Sequence, residues 1–482
     1  MTEMVRFSLL ITLLLITRIT FSQDRALQLF LSDTSMIHAS VSLFIKDTDN
    51  GEVISEFNSG RSLIPASVLK LVTSGVALEL LGPQYHFTTI IGYSGSLNKR
   101  TGRLSGNIVI KGGGDPALGS EYFGDHYRDF INRWVSEIKR MGIKRVDGRV
   151  ITDDSYYDFQ PVPAQWQWED IGNYYGAGVY GLSVFDNTAH IHLQTTADSS
   201  RVIITGIDPK EYRYDFENRL VASGNSDEGY VFAAPYSNHG WLTGSVPVNQ
   251  EDFVLKSSLA DPPLFMAELL DKKLEASGIR IREEPSTIRL NETKLIDEVK
   301  IISEITSPLL SEIIEVLNHE SVNLYAETLL KELGRIFRNN GSTASGVDVV
   351  KEFLRNNNIP ADGIFIEDGS GLSPRDAISA EALANFLGYM KKRGKFFTEY
   401  YNSLPEGGKS GTLKSYFRDP VFEGRMSAKS GSMSRVRCYA GYFTTTSDRK
   451  MVFSILVNNF TGSPQNVISG IEEIIKEIIL YK

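Results

Sequence analysis

The sequence predicts an α+β domain whose sheet is gathered from both ends of the chain and is split by a large β-rich insertion. Three stretches predict it. The first part reads as a short helix and a β-hairpin, the last part as a second hairpin and an amphipathic helix, and the stretch from 305 to 393 is dominated by helix.

Taken in order, residues 25–33 suit a short helix, and 38–45 (HASVSLFI) alternate and are β-rich. Asp47-Thr48-Asp49-Asn50-Gly51 is a turn, and 53–57 return as the partner strand. Pro65-Ala66-Ser67 opens an apolar helix that runs to Leu81 and is closed by Gly82-Pro83. Residues 87–93 and 106–111 read as strands, 127–141 as an amphipathic helix and 149–152 as another strand. Between 161 and 255 the chain becomes aromatic and rich in Gly and Asn, with short strands at 190–193 and 202–204; 262–277 return to helix. Helices are expected at 307–317, 320–335, 346–357 and 379–393, a hairpin of 439–443 with 451–456, and a final helix at 467–480. The split domain then comprises 23–88 and 291–482, and 89–290 are inserted, with a nested β-rich subdomain at roughly 161–255.

The composition narrows the function. The 482 residues carry a formal net charge of −9 with no basic tract, which speaks against a nucleic-acid partner. The one cysteine, Cys438, stands in an apolar run and reads as a buried strand residue; it excludes an internal disulfide and a cysteine-based zinc site. The seven histidines show no metal-ligand spacing, and Gly112–Gly114 do not form a phosphate loop, so neither a metal nor a cofactor is expected. Arg6, the apolar run at 7–16 and Thr20-Phe21-Ser22 have the layout of a signal peptide over 1–22, which would leave Gln23 first in an exported chain.

Three short patterns can carry acyl-transfer chemistry, which needs a nucleophile, a base, an acid for the leaving group and oxyanion donors. Ser67-Val68-Leu69-Lys70 puts a hydroxyl at a helix N-terminus and an amine one turn on, on the same face. The same spacing recurs at Ser96, Ser136 and Ser447, but only Ser67 starts an apolar helix. Ser321-Val322-Asn323 offers a hydroxyl and an amide; helix capping by Ser321 is the structural alternative. Lys429-Ser430-Gly431-Ser432 precedes the strand at 436–443 and offers a cation, a hydroxyl and a residue that permits close backbone approach. A second Lys-Ser-Gly, at Lys409-Ser410-Gly411, is followed by Thr412-Leu413-Lys414 and not by a β-run, so the later one is preferred.

None of these patterns is specific alone. Their order, S-x-x-K, then S-x-N, then K-[ST]-G, resembles the penicillin-recognising enzymes. The long interval from Ser67 to Ser321 resembles the class C low-molecular-mass penicillin-binding proteins, the D-alanyl-D-alanine carboxypeptidase/endopeptidase family. Gly112-Gly113-Gly114-Asp115-Pro116-Ala117-Leu118, Asp153-Asp154-Ser155, Trp166-Gln167-Trp168-Glu169-Asp170 and Asp368-Gly369-Ser370-Gly371-Leu372-Ser373 are similar to further stretches of that family.

The resemblance implies a penicillin-binding/β-lactamase-like transpeptidase domain and a periplasmic serine DD-peptidase. Its substrates would be peptidoglycan peptides ending in D-Ala-D-Ala, its inhibitors β-lactams. It assigns the attack to Ser67, proton removal to Lys70, proton relay to Ser321, the peptide amide to Asn323, and the terminal carboxylate to Lys429 and Ser430. Gly431 allows close approach, and the amides of Ser67 and Ser432 would form the oxyanion hole. Trp166, Glu169, Asp170 and Met433 would border a pocket for the substrate's diamino-acid side chain. Ser430 departs from the pattern, since threonine is usual there; the hydroxyl is kept and a methyl is lost. A β-lactamase on the same fold and a catalytically slow cell-wall binding protein are the alternatives, and turnover separates them.

Overall fold

The computed structural model describes residues 25–197, 199–290 and 298–480; the expected signal peptide lies outside them. The chain forms two compact units. One takes the chain up to Leu80, Ile314–Ser321 and Val350–Lys482, and the other takes Leu81–Ile313 and Val322–Val349.

The first unit is built on one antiparallel sheet of β1 (Ser40–Asp47), β2 (Val53–Phe57), β3 (Met426–Met433), β4 (Val436–Thr444) and β5 (Lys450–Asn458), in the order β2-β1-β5-β4-β3. The two chain ends meet in its middle, where β1 pairs with β5 from Ser40 opposite Asn458 to Asp47 opposite Met451. Strand alternation sorts the faces. Val41, Leu43, Ile45, Phe453 and Ile455 point to one side, where they pack with Leu27 and Phe30 of the helix Arg25–Ser32 and with Ile468, Ile471 and Ile475 of the helix Pro464–Leu480. The helix Ala380–Arg393 packs on β1 and β5, and the Tyr442 hydroxyl of β4 donates to its Leu387 carbonyl at 2.9 Å.

Two elements depart from the sequence expectation. Lys429 does not precede a strand but lies within one, β3, which forms a hairpin with β4. Serine and glycine give β3 little strand propensity of its own, and its pairing with the apolar β4 supplies what propensity lacks. The boundary between the helices expected at 307–317 and 320–335 is displaced: they run Leu310–Glu320 and Asn323–Arg338. The break falls at Ser321, whose φ of 61° is left-handed, and Val322 occupies the N-cap position of the second helix without a side-chain cap.

The second unit holds a five-stranded mixed sheet in the order Ser286–Thr287, Val150–Asp153, Ile108–Lys111, Thr88–Tyr93, Lys300–Thr306. Small sheets follow between Thr188 and Ser258, around a core that includes Ile191, Leu193, Val231, Leu242 and Leu255. The helix Asn323–Arg338 belongs to this unit through buried polar contacts. The Tyr325 hydroxyl donates to Asp186 at 2.9 Å and lies 2.9 Å from the Ser120 hydroxyl; Lys331 donates to Asp158 at 2.6 Å; Glu332 accepts from Tyr157 at 2.6 Å and Tyr156 at 3.0 Å. Among the described residues, no helix is long and apolar enough to cross a membrane.

Candidate active site

The chain enters the site through a strained turn. Ala66 has a φ of 47°, a conformation unfavourable for a residue with a Cβ, and a 3-10 turn Ala66–Leu69 leads into the helix Lys70–Leu81. Ser67 is part-exposed, while Val68, Leu69 and Lys70 are buried. The Lys70 Nζ donates to the Ser67 Oγ at 2.8 Å and to the Ser370 carbonyl at 2.8 Å. One hydroxyl therefore faces solvent and a fully buried amine at once, the geometry of a nucleophile with a neighbouring base.

The Asp368–Ser373 loop holds that amine in place. The buried Asp368 carboxylate accepts from the amides of Ser370 at 3.0 Å, Gly371 at 2.6 Å and Ser373 at 2.7 Å, so the loop is folded around it. The Thr73 hydroxyl donates to the Gly369 carbonyl at 2.7 Å. Gly371, at φ 81°, runs so close to the strained turn that a Cβ there would lie 2.0 Å from the Ala66 carbonyl oxygen.

β3 brings the third pattern to the same turn. Ala428 faces the core, so Lys429 and Gly431 face the other way. A Cβ at Gly431 would lie 2.6 Å from the Pro65 carbonyl and 3.0 Å from the amide nitrogens of Ser67 and Val68, so strand and turn touch backbone to backbone. The fully buried Lys429 donates from Nζ to the Ser321 Oγ at 2.9 Å and to the Ser430 carbonyl at 2.8 Å. Burial, and then the charge of Lys70, push its ammonium well below the ordinary lysine range. Ser321 is brought here by the end of the helix Leu310–Glu320, where the Asn318 amide donates to Ser74 at 3.4 Å and to Ser403 at 2.8 Å. Its hydroxyl serves Lys429 rather than a helix N-cap.

β3 is an edge strand. The Ala428 amide points away from β4, to the Pro405 carbonyl at 2.9 Å, and alternate residues direct their amides alike, so those of Ser430 and Ser432 point to the same open side. Ser432 is exposed and Met433 half-buried, with the Met433 carbonyl accepting from Arg437 at 2.9 Å.

The remaining expected residues lie in the second unit. The Asn323 amide donates to the Tyr175 carbonyl at 2.7 Å. Trp166 is buried and Glu169 exposed; the indole that reaches solvent in this segment is that of Trp168, beside Phe232 and Trp241. Asp170 is buried, and its carboxyl is pushed up to about 6 by that burial and by Glu169, with the Tyr175 hydroxyl opposing. Sequence reasoning missed one neighbour of the first unit. Thr412, passed over with the earlier Lys-Ser-Gly, has its hydroxyl 2.8 Å from that of Ser430. The signal was present, since Lys409-Ser410-Gly411 repeats the later pattern, but local composition does not show which strand the turn meets.

A sheet drawn from both chain ends, flanked by helices, with a Ser-Lys turn facing a strand-borne lysine, defines the penicillin-binding/β-lactamase-like class of α+β fold. Comparison with known proteins narrows the class. The D-Ala-D-Ala carboxypeptidase 3 (S13) family matches residues 23–478, and the chain belongs to that family, whose members are serine-type D-Ala-D-Ala carboxypeptidases. A D-alanyl-D-alanine carboxypeptidase of Actinomadura sp. is 26% identical over 444 residues, which are 90% of this chain and 80% of the relative. The D-alanyl-D-alanine carboxypeptidase DacB of Haemophilus influenzae is 21% identical over 88% of this chain and 86% of its own length. The crystal structure of penicillin binding protein 4 from Haemophilus influenzae shares the fold, with a TM-score of 0.79 at 19% identity, covering 92% of this chain and 97% of that one.

Proposed function

We propose that the enzyme cleaves D-Ala-D-Ala peptides of peptidoglycan, as stem peptides or cross-links, through an acyl-enzyme on Ser67, and that β-lactams inhibit it by forming the same ester. The observation that carries this reading is the pairing of Ser67 with the buried Lys70 at 2.8 Å, beside the pairing of Lys429 with Ser321 at 2.9 Å. Lys70 takes the Ser67 proton as Oγ attacks the penultimate D-Ala carbonyl. The carbonyl oxygen becomes an oxyanion that the amides of Ser67 and Ser432 receive. Ser321 passes a proton to the departing D-Ala nitrogen as the C–N bond breaks, and Lys429 stands ready to replace it. Water then attacks the ester; the proton that Lys70 took returns to the Ser67 oxygen as the ester breaks, and the proton lost by water makes good the one that Lys429 gave. The substrate's terminal carboxylate is held by Lys429 and Ser430, and its negative charge favours the ammonium form that burial disfavours. A Haemophilus influenzae penicillin binding protein 4 of the same fold has been solved complexed with a β-lactam, which supports the inhibition. The substrate and the signal-peptide layout of 1–22 support a periplasmic location.

The test is the intact mass of the chain from Gln23 onward after exposure to benzylpenicillin, with Ser67→Ala alongside. A stable adduct on the wild type and none on the variant is the expected result. An unmodified wild type with intact drug sinks the proposal, and rapid hydrolysis of the drug without an adduct makes the protein a β-lactamase.

A further inference from the structure

The hydroxyl of Ser430 does not stand alone on the edge of β3. It donates to the Thr412 Oγ1 at 2.8 Å. Thr412 lies in the 3-10 turn Gly411–Leu413, and the segment that leads into this turn is fastened to the strand and to itself. Pro405 accepts from the Ala428 amide at 2.9 Å, Gly407 donates to the Met426 carbonyl at 3.0 Å, and the Ser410 hydroxyl accepts from the Glu406 amide at 2.9 Å. Leu413 is fully buried. Gly411, at φ 48°, comes so near the segment leading to Ser321 that a Cβ would lie 2.7 Å from the His319 carbonyl. The Thr412 hydroxyl is therefore set by backbone packing, between the strand that carries Lys429 and the helix end that carries Ser321.

Its chemistry follows from the residue it meets. Threonine, usual at the second place of the K-[ST]-G pattern, has a β-methyl that restricts χ1. Serine has three open rotamers there, of which only some aim the hydroxyl at a ligand on the strand edge. A hydroxyl donates once, and its proton rotates to suit the acceptor. When a carboxylate arrives, Ser430 turns its proton to the carboxylate, and Thr412 turns its own to the Ser430 oxygen. The second bond holds the rotamer and polarises the first.

We propose that Thr412 is a positioning residue for the substrate carboxylate, orienting Ser430 in place of the constraint that a threonine methyl would supply. The inference rests on the reading that Lys429 and Ser430 receive that carboxylate. Five variants test it: Thr412→Val, Thr412→Ala, Thr412→Ser, Ser430→Thr, and Thr412→Val combined with Ser430→Thr. Each is assayed with an N-acylated peptide ending in D-Ala-D-Ala and with its C-terminal amide. The same substitutions, made on Ser67→Ala, are titrated with both ligands by calorimetry, so that binding is read without turnover.

Thr412→Val and Thr412→Ala should raise KM and Kd for the free acid about tenfold, with kcat within about twofold. Thr412→Ser should restore the wild-type values within about twofold, and the amide should respond to none of them. In the Ser430→Thr background, the loss from Thr412→Val should shrink below about threefold. The proposal is overturned if Thr412→Val and Thr412→Ala leave the free acid unaffected. It is equally overturned if they weaken acid and amide alike, or if Thr412→Val acts as strongly in the Ser430→Thr background as in the wild type. A wild type that binds the acid through Thr412 yet never cleaves it keeps this inference and removes the catalytic reading.

Discussion

Lys429 is enclosed on all sides, and its ammonium donates to a hydroxyl and a carbonyl, neither of which carries a countercharge. Burying an ammonium group costs stability unless it is compensated. Lys429→Met should therefore leave stability in urea unchanged within about 1 kcal/mol, or raise it. It should slow acylation by benzylpenicillin by about a hundredfold or more. A large loss of stability with acylation intact would mean that the lysine serves the fold and not the reaction. Asp170 gives a second residue-scale test. Its carboxyl, ordinarily near 3.8, titrates at about 6 because burial penalises its charge. The folded state thus holds that proton more tightly than the unfolded chain, and the resulting stabilisation, full in acid, is lost as pH rises through about 6. Asp170→Asn should melt higher than the wild type at pH 7.5, with a gain that disappears near pH 4; melting curves across that range decide it. At this scale the sequence was informative where partners are near along the chain. Ser67 and Lys70 share one helical turn and could be read directly. Thr412 could not, because its contact with Ser430 exists only once a loop is stapled to the strand edge.

At the scale of elements, the contact between β3 and the Ser67 turn is the tightest feature of the site. Gly431→Ala would force strand and turn apart, since the added carbon meets backbone atoms that cannot rotate away. It should cost about 1–3 kcal/mol of stability and, with the Ser432 amide displaced from the Ser67 amide, nearly all acylation. Urea unfolding and the penicillin adduct measure the two losses, and a fully acylated Gly431→Ala chain would show that the amides need not be so close. Hairpins were legible because their turns and alternation are local: β1 with β2, and β4 with β5. β3 was hidden by its Ser and Gly content, although its lysine was singled out. The break between the two helices was expected at 318–319, and its true place, at Ser321, was hidden. His319-Glu320-Ser321-Val322-Asn323-Leu324-Tyr325 contains no glycine or proline, and the left-handed Ser321 is held by tertiary packing rather than by its own preference.

At the scale of the whole molecule, the sequence foretold a sheet made from both chain ends and a long β-rich insertion between them. It did not foretell that residues 322–349 pack with 81–313. That grouping depends on buried pairs such as Tyr325 with Asp186 and Glu332 with Tyr157, whose members are far apart along the chain. The order of the strands has a consequence in time. Ser67 and Lys70 are made early, but Lys429 and the strand that presses against their turn are made long after them, and β1 finds its partner β5 only after Asn458 exists. A chain still growing on the ribosome carries the reactive hydroxyl without the apparatus that would aim it. The nucleophile is thus complete in sequence long before it is complete in space: a fragment that stops short of Lys429 and Asn458 carries Ser67 and Lys70 but neither the strand that faces them nor the partner of β1.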